Sequence, residues 1–385
     1  MQRFLVNVLL CILVSSVSAG KELCAQELRV QEGSAQEGSE GTKSRETAGS
    51  WTGGGHQFWS DLMVYGSWRI QRNVYTSHSR LLDPMNRRHT WGSFSHCHRK
   101  FTELKNERSL PPLKREAVVT LHGLGRTRDS MAGLGKYLAE HGDYSWINVS
   151  YASTRGRVES HAEALASVVR QLEGVETVHF VGHSMGNLVI RHYLTNRERT
   201  SKATASESTV AESSPSEKAA ELPTVGRVVM LAPPNNGSHL AERLKDNEIY
   251  RVAAGVSGSQ LATEWDELNA NLGTPSCEFG IIAGKASKRV FSNPLLTGDD
   301  DLVVTVEETK LAGASDFLVV SALHTFIMND SEVRDAALRF LQHGYFQTEE
   351  KRNALERNVG DANSNSSDRF PRKQEQHVNT HHESR

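Results

Sequence analysis

The chain has 385 residues, with 44 Lys+Arg against 46 Asp+Glu, a net charge of −2 and only 37% hydrophobic residues. That charge balance excludes the basic field on which nucleic-acid binding rests, so nucleic acid is not an expected partner. The hydrophobic share falls below the roughly 45–50% of ordinary globular chains, so either polar stretches dilute a normal core or the chain lacks one.

At the N-terminus, Arg3 precedes an apolar run at residues 4–14, and the small residues Ser15, Ser16, Val17, Ser18 and Ala19 follow. This layout predicts a secretory signal peptide over residues 1–19 and an exported protein, periplasmic or extracellular; left uncleaved, the segment would hold the chain at a membrane. The run is short and broken by Asn7, and no later stretch is apolar enough to cross a bilayer. No integral membrane span is therefore expected after cleavage. Cys11 leaves with the signal, and Cys24, Cys97 and Cys277 remain. In an oxidising compartment a Cys97–Cys277 bridge and free thiols are both open, with Cys24 free in the tail.

Residues 20–56 are rich in Gln, Glu, Gly and Ser and are expected to form a disordered linker. One domain is expected over residues 57–349. It opens with Phe58, Trp59, Leu62, Met63 and Tyr65 at helical spacing, which predicts an N-terminal helical extension. His96-Cys97-His98 has no second ligand pair spaced to complete a metal site, so no metal is expected.

Short branched apolar runs follow at residues 117–121, 145–149, 178–181, 228–231, 279–283 and 317–320, as in buried parallel strands. Helix-period segments lie between or after them at 130–140, 158–172, 185–194 and 332–341. The alternation predicts an α/β fold: a mostly parallel, doubly wound sheet with helices on both faces. Handed crossovers then gather the loops after the strand C-termini on one edge. Two further polar stretches, an insert at 200–224 and a tail at 350–385, lack the apolar residues to order themselves and are expected to be disordered. Removing all the polar stretches leaves a core the size of one domain.

Directly after the run at 178–181 comes Gly182-His183-Ser184-Met185-Gly186, with a helix pattern led by Met185. A serine raised on a sharp strand-to-helix turn needs small neighbours, because the turn forces other backbone close to it. A serine nucleophile also needs a base and an orienting acid. Gly298-Asp299-Asp300-Asp301 follows the fifth strand, and His324 follows the sixth, before the last helix. His183 is better suited to packing beside the serine than to acting as the base. Leu121-His122-Gly123-Leu124-Gly125 follows the first strand, and its glycines let a loop curl over a substrate carbonyl. The expected oxyanion donors are the N–H groups of Leu124 and Met185.

The stretches Leu-His-Gly-Leu-Gly at 121–125, Val-Gly-His-Ser-Met-Gly-Asn at 181–187, Leu-Ala-Pro-Pro-Asn-Asn-Gly-Ser at 231–238, Asp-Leu-Val-Val-Thr-Val-Glu at 301–307 and Leu-His-Thr-Phe at 323–326 together resemble bacterial secreted lipases and esterases of the α/β-hydrolase superfamily. The third departs from the family's Thr-Pro-His-x-Gly-Ser pattern. The resemblance implies the α/β-hydrolase fold, an ester or lipid substrate, a Ser184–His324–Asp catalytic triad and no cofactor. Aligning on Val303-Val304-Thr305-Val306 makes Asp301 the preferred acid, with Leu302 where the family usually has glycine; sliding by one keeps Asp300 as the alternative. The segment at 249–265 lies where such enzymes carry lids, so Val252, Val256, Leu261 and Trp265 are expected either to line a substrate pocket or to belong to core helices. An acyltransferase using the same acyl-enzyme and a non-catalytic binding protein on this scaffold are the alternatives.

Overall fold

A computed structural model of the chain describes residues 50–51, 55–207, 222–286, 293 and 295–357. The expected signal peptide, nearly all of the expected linker, residues 208–221 of the insert and residues 358–385 of the tail lie outside the described residues.

The first strands, β1 (Ser50–Trp51), β2 (Trp59–Tyr65), β3 (Trp68–Asn73), β4 (Ser79–Leu82) and β5 (Arg87–Gly92), form an antiparallel sheet in the order β1-β5-β4-β3-β2. Helix α1 (Phe94–Glu107) closes one face of it, started by the Ser93 side chain, which accepts from the His96 N–H. This corrects the expected N-terminal helical extension: Trp59, Leu62, Met63 and Tyr65 lie on β2, and Phe58 ends the single 3-10 turn before it. The reason is burial on both faces. Met63 and Tyr65 pack with Phe101 and Leu104 of α1, while Val64 belongs to the main core on the other side. A strand covered on both faces loses its alternation, and its apolar residues then fall at helical spacing by accident.

The second sheet has six strands, all parallel: β6 (Glu116–Leu121), β7 (Ser145–Val149), β8 (Thr177–His183), β9 (Thr224–Leu231), β10 (Phe279–Gly284) and β11 (Asp316–Val320), in the order β11-β10-β9-β8-β6-β7. The crossovers carry α2 (Ala132–Gly142), α3 (Val158–Arg170), α4 (Met185–Glu207), the short α5 (His239–Leu244), α6 (Glu248–Thr263), α7 (Trp265–Ala270) and α8 (Val306–Thr309), and α9 (Ser331–His343) follows the last strand. Val119, Phe180, Val228 and Ile281 point to a core with α3 and α4; Val118, Val181, Val229 and Ile282 point to a second core with α2 and α9. These strands are apolar on both faces, which is why they read as unbroken runs. The doubly wound α/β architecture expected from the sequence, a parallel sheet with helices on both faces, is the one observed. Strand order reverses at β6, so the topological switch point of the sheet lies at the C-terminal ends of β6 and β8.

Two expected polar stretches are partly ordered. Helix α4 runs through residues 200–207 of the expected insert. At the other end, residues 350–357 dock on the start of β11 rather than forming tail. Arg352 meets Glu278 and donates to the Ser315 carbonyl, the Asn353 N–H donates to Asp316, the Gly313 N–H donates to the Leu355 carbonyl, and the Leu355 N–H donates to the Ala314 carbonyl. Cys97 and Cys277 are free thiols, one inside the antiparallel layer and the other beside the main core.

The two sheets are joined by a buried polar network. A bulge in β2 turns Asp61 toward the exit of β7, where its backbone N–H donates to the Ser150 carbonyl and its carboxylate accepts from the Ser150 N–H at 2.7 Å. The same carboxylate accepts from Arg69 at 2.9 Å and Gln71 at 2.8 Å, and Gln71 in turn accepts from Arg80. All four side chains are buried, so none of these charges has water as a substitute partner.

Candidate active site

Ser184 sits between β8 and α4 with φ +53°, in left-handed backbone that residues other than glycine rarely adopt. Its N–H donates to the Leu231 carbonyl of the neighbouring strand end, and its own carbonyl accepts from Asn187. The turn works only because Gly186 lacks a side chain: a Cβ there would lie 2.8 Å from the carbonyl oxygens of Leu121 and His122. Strand β6 and its exit loop therefore press directly against the start of α4. Met185, the first residue of that helix, has an N–H with no partner inside the helix, and the helix dipole adds positive potential there.

The loop after β6 reaches over the serine. A Cβ on Gly123 would stand 3.0 Å from both the Ser184 Cβ and the His183 ring, so the peptide just before Leu124 passes beside the hydroxyl-bearing carbon. His122 anchors the loop from below. It is fully buried, donates from Nδ1 to the Gly123 carbonyl at 2.9 Å, and stacks on Tyr151 with ring centroids 4.3 Å apart. Burial pulls its pKa down to about 4, so the ring is neutral at ordinary pH.

Gln57, which precedes β2, braces the same loop from the antiparallel layer. Its Nε2 donates to the Arg126 carbonyl at 2.9 Å, and its Oε1 accepts from the Ser153 hydroxyl and from the Thr154 N–H and hydroxyl. Ser153 Oγ meanwhile accepts from the Gly125 N–H at 3.1 Å. One side-chain amide thus ties together three segments. It was missed in the sequence because its partners lie 69 to 97 positions away.

Asp301 and His324 meet where β10 and β11 end. His324 Nδ1 donates to Asp301 Oδ2 at 2.7 Å, a bond that selects, in the neutral imidazole, the tautomer whose lone pair is on Nε2. The His324 N–H also donates to the Asp301 carbonyl at 3.0 Å. The second carboxylate oxygen, Oδ1, accepts the N–H groups of Val303 and Val304. Asp301 is 1% exposed, held from three sides. Asp300 faces elsewhere: its carboxylate accepts the Leu302 N–H, and burial together with Asp301 and Asp299 raises its pKa. Asp299 pairs with Lys285 at the surface. Leu302 takes φ +80°, the conformation a glycine at that place would adopt freely.

His183 lies under the pair, fully buried. Its Nε2 donates to the His324 carbonyl at 3.0 Å, and the two rings are 4.8 Å apart. Its Nδ1 is buried without a partner, and burial with the nearby His324 holds its pKa well below the usual range. It packs beside the serine and holds the backbone of His324, so it is not placed to be the base.

The four residues of the expected pocket are not brought together. Helix α6 is broken at Gly255 (φ +62°), where a Cβ would come within 1.9 Å of the Thr154 carbonyl. Beyond the break, Gln260 accepts the Val158 N–H and Ser257 donates to the Gly156 carbonyl, which clamps that half to α3. Leu261 therefore faces the core at 6% exposure, while Val252, before the break, is 78% exposed. Val256 is half exposed and Trp265 packs under Gly237. The break at Gly255 separates Val252 from Val256 and Leu261, and the two halves differ in burial. In the departing segment at 231–238, Asn235 is buried and bonds Arg191 and the Thr309 carbonyl, a structural use of that position.

Among the described residues no cluster of His, Cys, Asp and Glu is arranged to hold a metal ion, and no helix is long and apolar enough to cross a membrane. No family model matches the chain, and no curated protein matches it. Solved structures are similar to it at low identity, several of them lipases or esterases. A Bacillus licheniformis lipase in propeptide form is 17% identical over 65% of this chain with a TM-score of 0.46, and the chain spans 53% of that lipase's length. A Listeria innocua gene product is 15% identical over 63% of this chain and 99% of its own, with a TM-score of 0.40. Staphylococcus hyicus lipase is 15% identical over 57% of this chain and 90% of its own, with a TM-score of 0.37.

Proposed function

We propose that the chain is a serine hydrolase that cleaves carboxylic esters through an acyl-enzyme. Ser184 Oγ attacks the carbonyl carbon while His324 Nε2 takes its proton. Asp301 holds the imidazole in that tautomer and stabilises the imidazolium that forms. The N–H groups of Leu124 and Met185 receive the charge that develops on the carbonyl oxygen. His324 then gives its proton to the leaving alcohol, and a water activated by the same nitrogen attacks the acyl-enzyme and releases the acid. The residues at 1–19 support export as part of the same reading.

The observation that carries the proposal is the buried His324–Asp301 pair at 2.7 Å, joined through His183 to the next residue, Ser184, which holds left-handed backbone at a strand-to-helix turn. Both features cost stability in a protein that does not use them. Hydrolysis of p-nitrophenyl butyrate tests it. Ser184→Ala is expected to lower kcat by at least about 10⁴-fold with the fold intact. A folded variant that keeps a tenth or more of wild-type kcat overturns the assignment.

A further inference from the structure

Arg126 ends the loop that bends over Ser184. Its backbone is pinned from both sides: the N–H donates to the Gly123 carbonyl, and the carbonyl accepts from Gln57. Its guanidinium is not. Nε is buried with no hydrogen-bond partner, and among the described residues no carboxylate pairs with the group. The other buried arginines are used. Arg69 bonds Asp61 and the Asn148 carbonyl, although its Nε too is left over. Arg80 makes two bonds to Gln71, and Arg191 bonds the Gly273 and Leu272 carbonyls and Asn235.

The unpaired cation lies close to the reacting groups. Its charge acts on the rings of both His122 and His183, and His183 touches His324. It is two residues beyond Leu124, hence within about 8 Å of it between Cα atoms. A partly desolvated guanidinium with no counter-ion is costly, and a planar fork of donors matches the paired oxygens of a carboxylate or phosphate. Burial is the sole cause acting on its pKa, in the downward direction, with no acidic neighbour to oppose it.

We propose that Arg126 is a specificity-determining residue that receives an anionic oxyacid group, carboxylate or phosphate, carried by the ester substrate a few bonds from the scissile carbonyl. This rests on the ester-hydrolase reading above and narrows its substrate class.

The test compares the p-nitrophenyl esters of adipic acid and of its monomethyl ester, which differ by one charge, on the full chain at pH 7.5. The wild type is expected to prefer the charged ester by roughly 10- to 100-fold in kcat/KM, the worth of one or two charge-assisted hydrogen bonds. In Arg126→Ala and Arg126→Gln that ratio falls to within about twofold of one, and Arg126→Lys, which keeps the charge without the fork, lies between. A second arm compares phosphatidylglycerol with diacylglycerol of matched acyl chains in the same neutral detergent micelles, so that only one substrate carries a phosphate. A preference in this arm alone assigns the anion to a lipid headgroup, and one in the adipate arm alone assigns it to a soluble ester. Equal kcat/KM in both arms, or a preference that survives in the alanine and glutamine variants, overturns the inference. Hydrolysis of the neutral ester would still hold the ester-hydrolase reading up in that case, whereas no hydrolysis of any ester overturns both.

Discussion

At the antiparallel layer the Asp61 carboxylate accepts from Arg69, Gln71 and the Ser150 N–H, so each of its oxygens is used. At the open edge of the parallel sheet, Ser184, Ala232 and Leu302 hold left-handed backbone without being glycine, and His183 and Arg126 keep buried nitrogens without partners. In the first region every buried side-chain polar atom of the network except Arg69 Nε finds a partner, and its left-handed non-glycine residues, Ser77 and Asn86, lie in exposed turns. The second places such residues in buried or half-buried turns, at a strain of about 1–3 kcal/mol each that is tolerable only where surrounding structure over-determines it. Part of that surrounding structure comes from the antiparallel layer itself, through Gln57 and its bonds to Arg126, Ser153 and Thr154. The small sheet is therefore a brace for a strained edge, and the two regions should fail differently when altered.

The largest difference is expected within the strained edge. Asp301→Asn removes the charge that orients and stabilises His324 and should lower kcat/KM by about 10³–10⁴-fold, with little change in melting temperature. Asp300→Asn, whose carboxylate serves only the Leu302 turn, should cost less than about tenfold. Reversed sizes in ester hydrolysis assays would move the acid to Asp300.

Asp61→Ala addresses the brace and should do the opposite. It strands the buried Arg69 guanidinium and should cost about 3–5 kcal/mol in urea denaturation, while the folded fraction keeps its kcat. A loss of kcat without a loss of stability would erase the contrast between the regions. Gln57→Ala sharpens it, since it cuts the link while leaving both regions folded. The oxyanion loop should loosen and kcat fall by roughly 10- to 100-fold, with KM moving less. A change confined to KM would assign Gln57 to substrate binding instead.

The strained edge was largely legible in the sequence. Gly182-His183-Ser184-Met185-Gly186 announces itself because the glycines answer a steric demand, and the parallel strands read as unbroken apolar runs because helices cover both faces. Within it, the alignment on Val303-Val304 favoured Asp301 over Asp300, but the sequence could not close that choice, because it depends on Leu302 accepting φ +80°, which nothing about leucine signals. The different exposures of Val252 and Leu261 were not legible either, since they depend on the break at Gly255, where the backbone runs against the Thr154 carbonyl. The antiparallel layer was hidden because β2 is covered on both faces and because Asp61 and Gln57 find their partners across long sequence separations. Residues that act through distant partners leave no local pattern to read.

The central claim is that Ser184 is the nucleophile that this strained turn presents. Reaction of the full chain with a fluorophosphonate probe, followed by peptide mapping, tests it most directly. A single adduct on Ser184, lost in Ser184→Ala and formed much more slowly in Asp301→Asn, is the predicted result. No adduct on the folded wild type, or an adduct on another serine, would contradict the account.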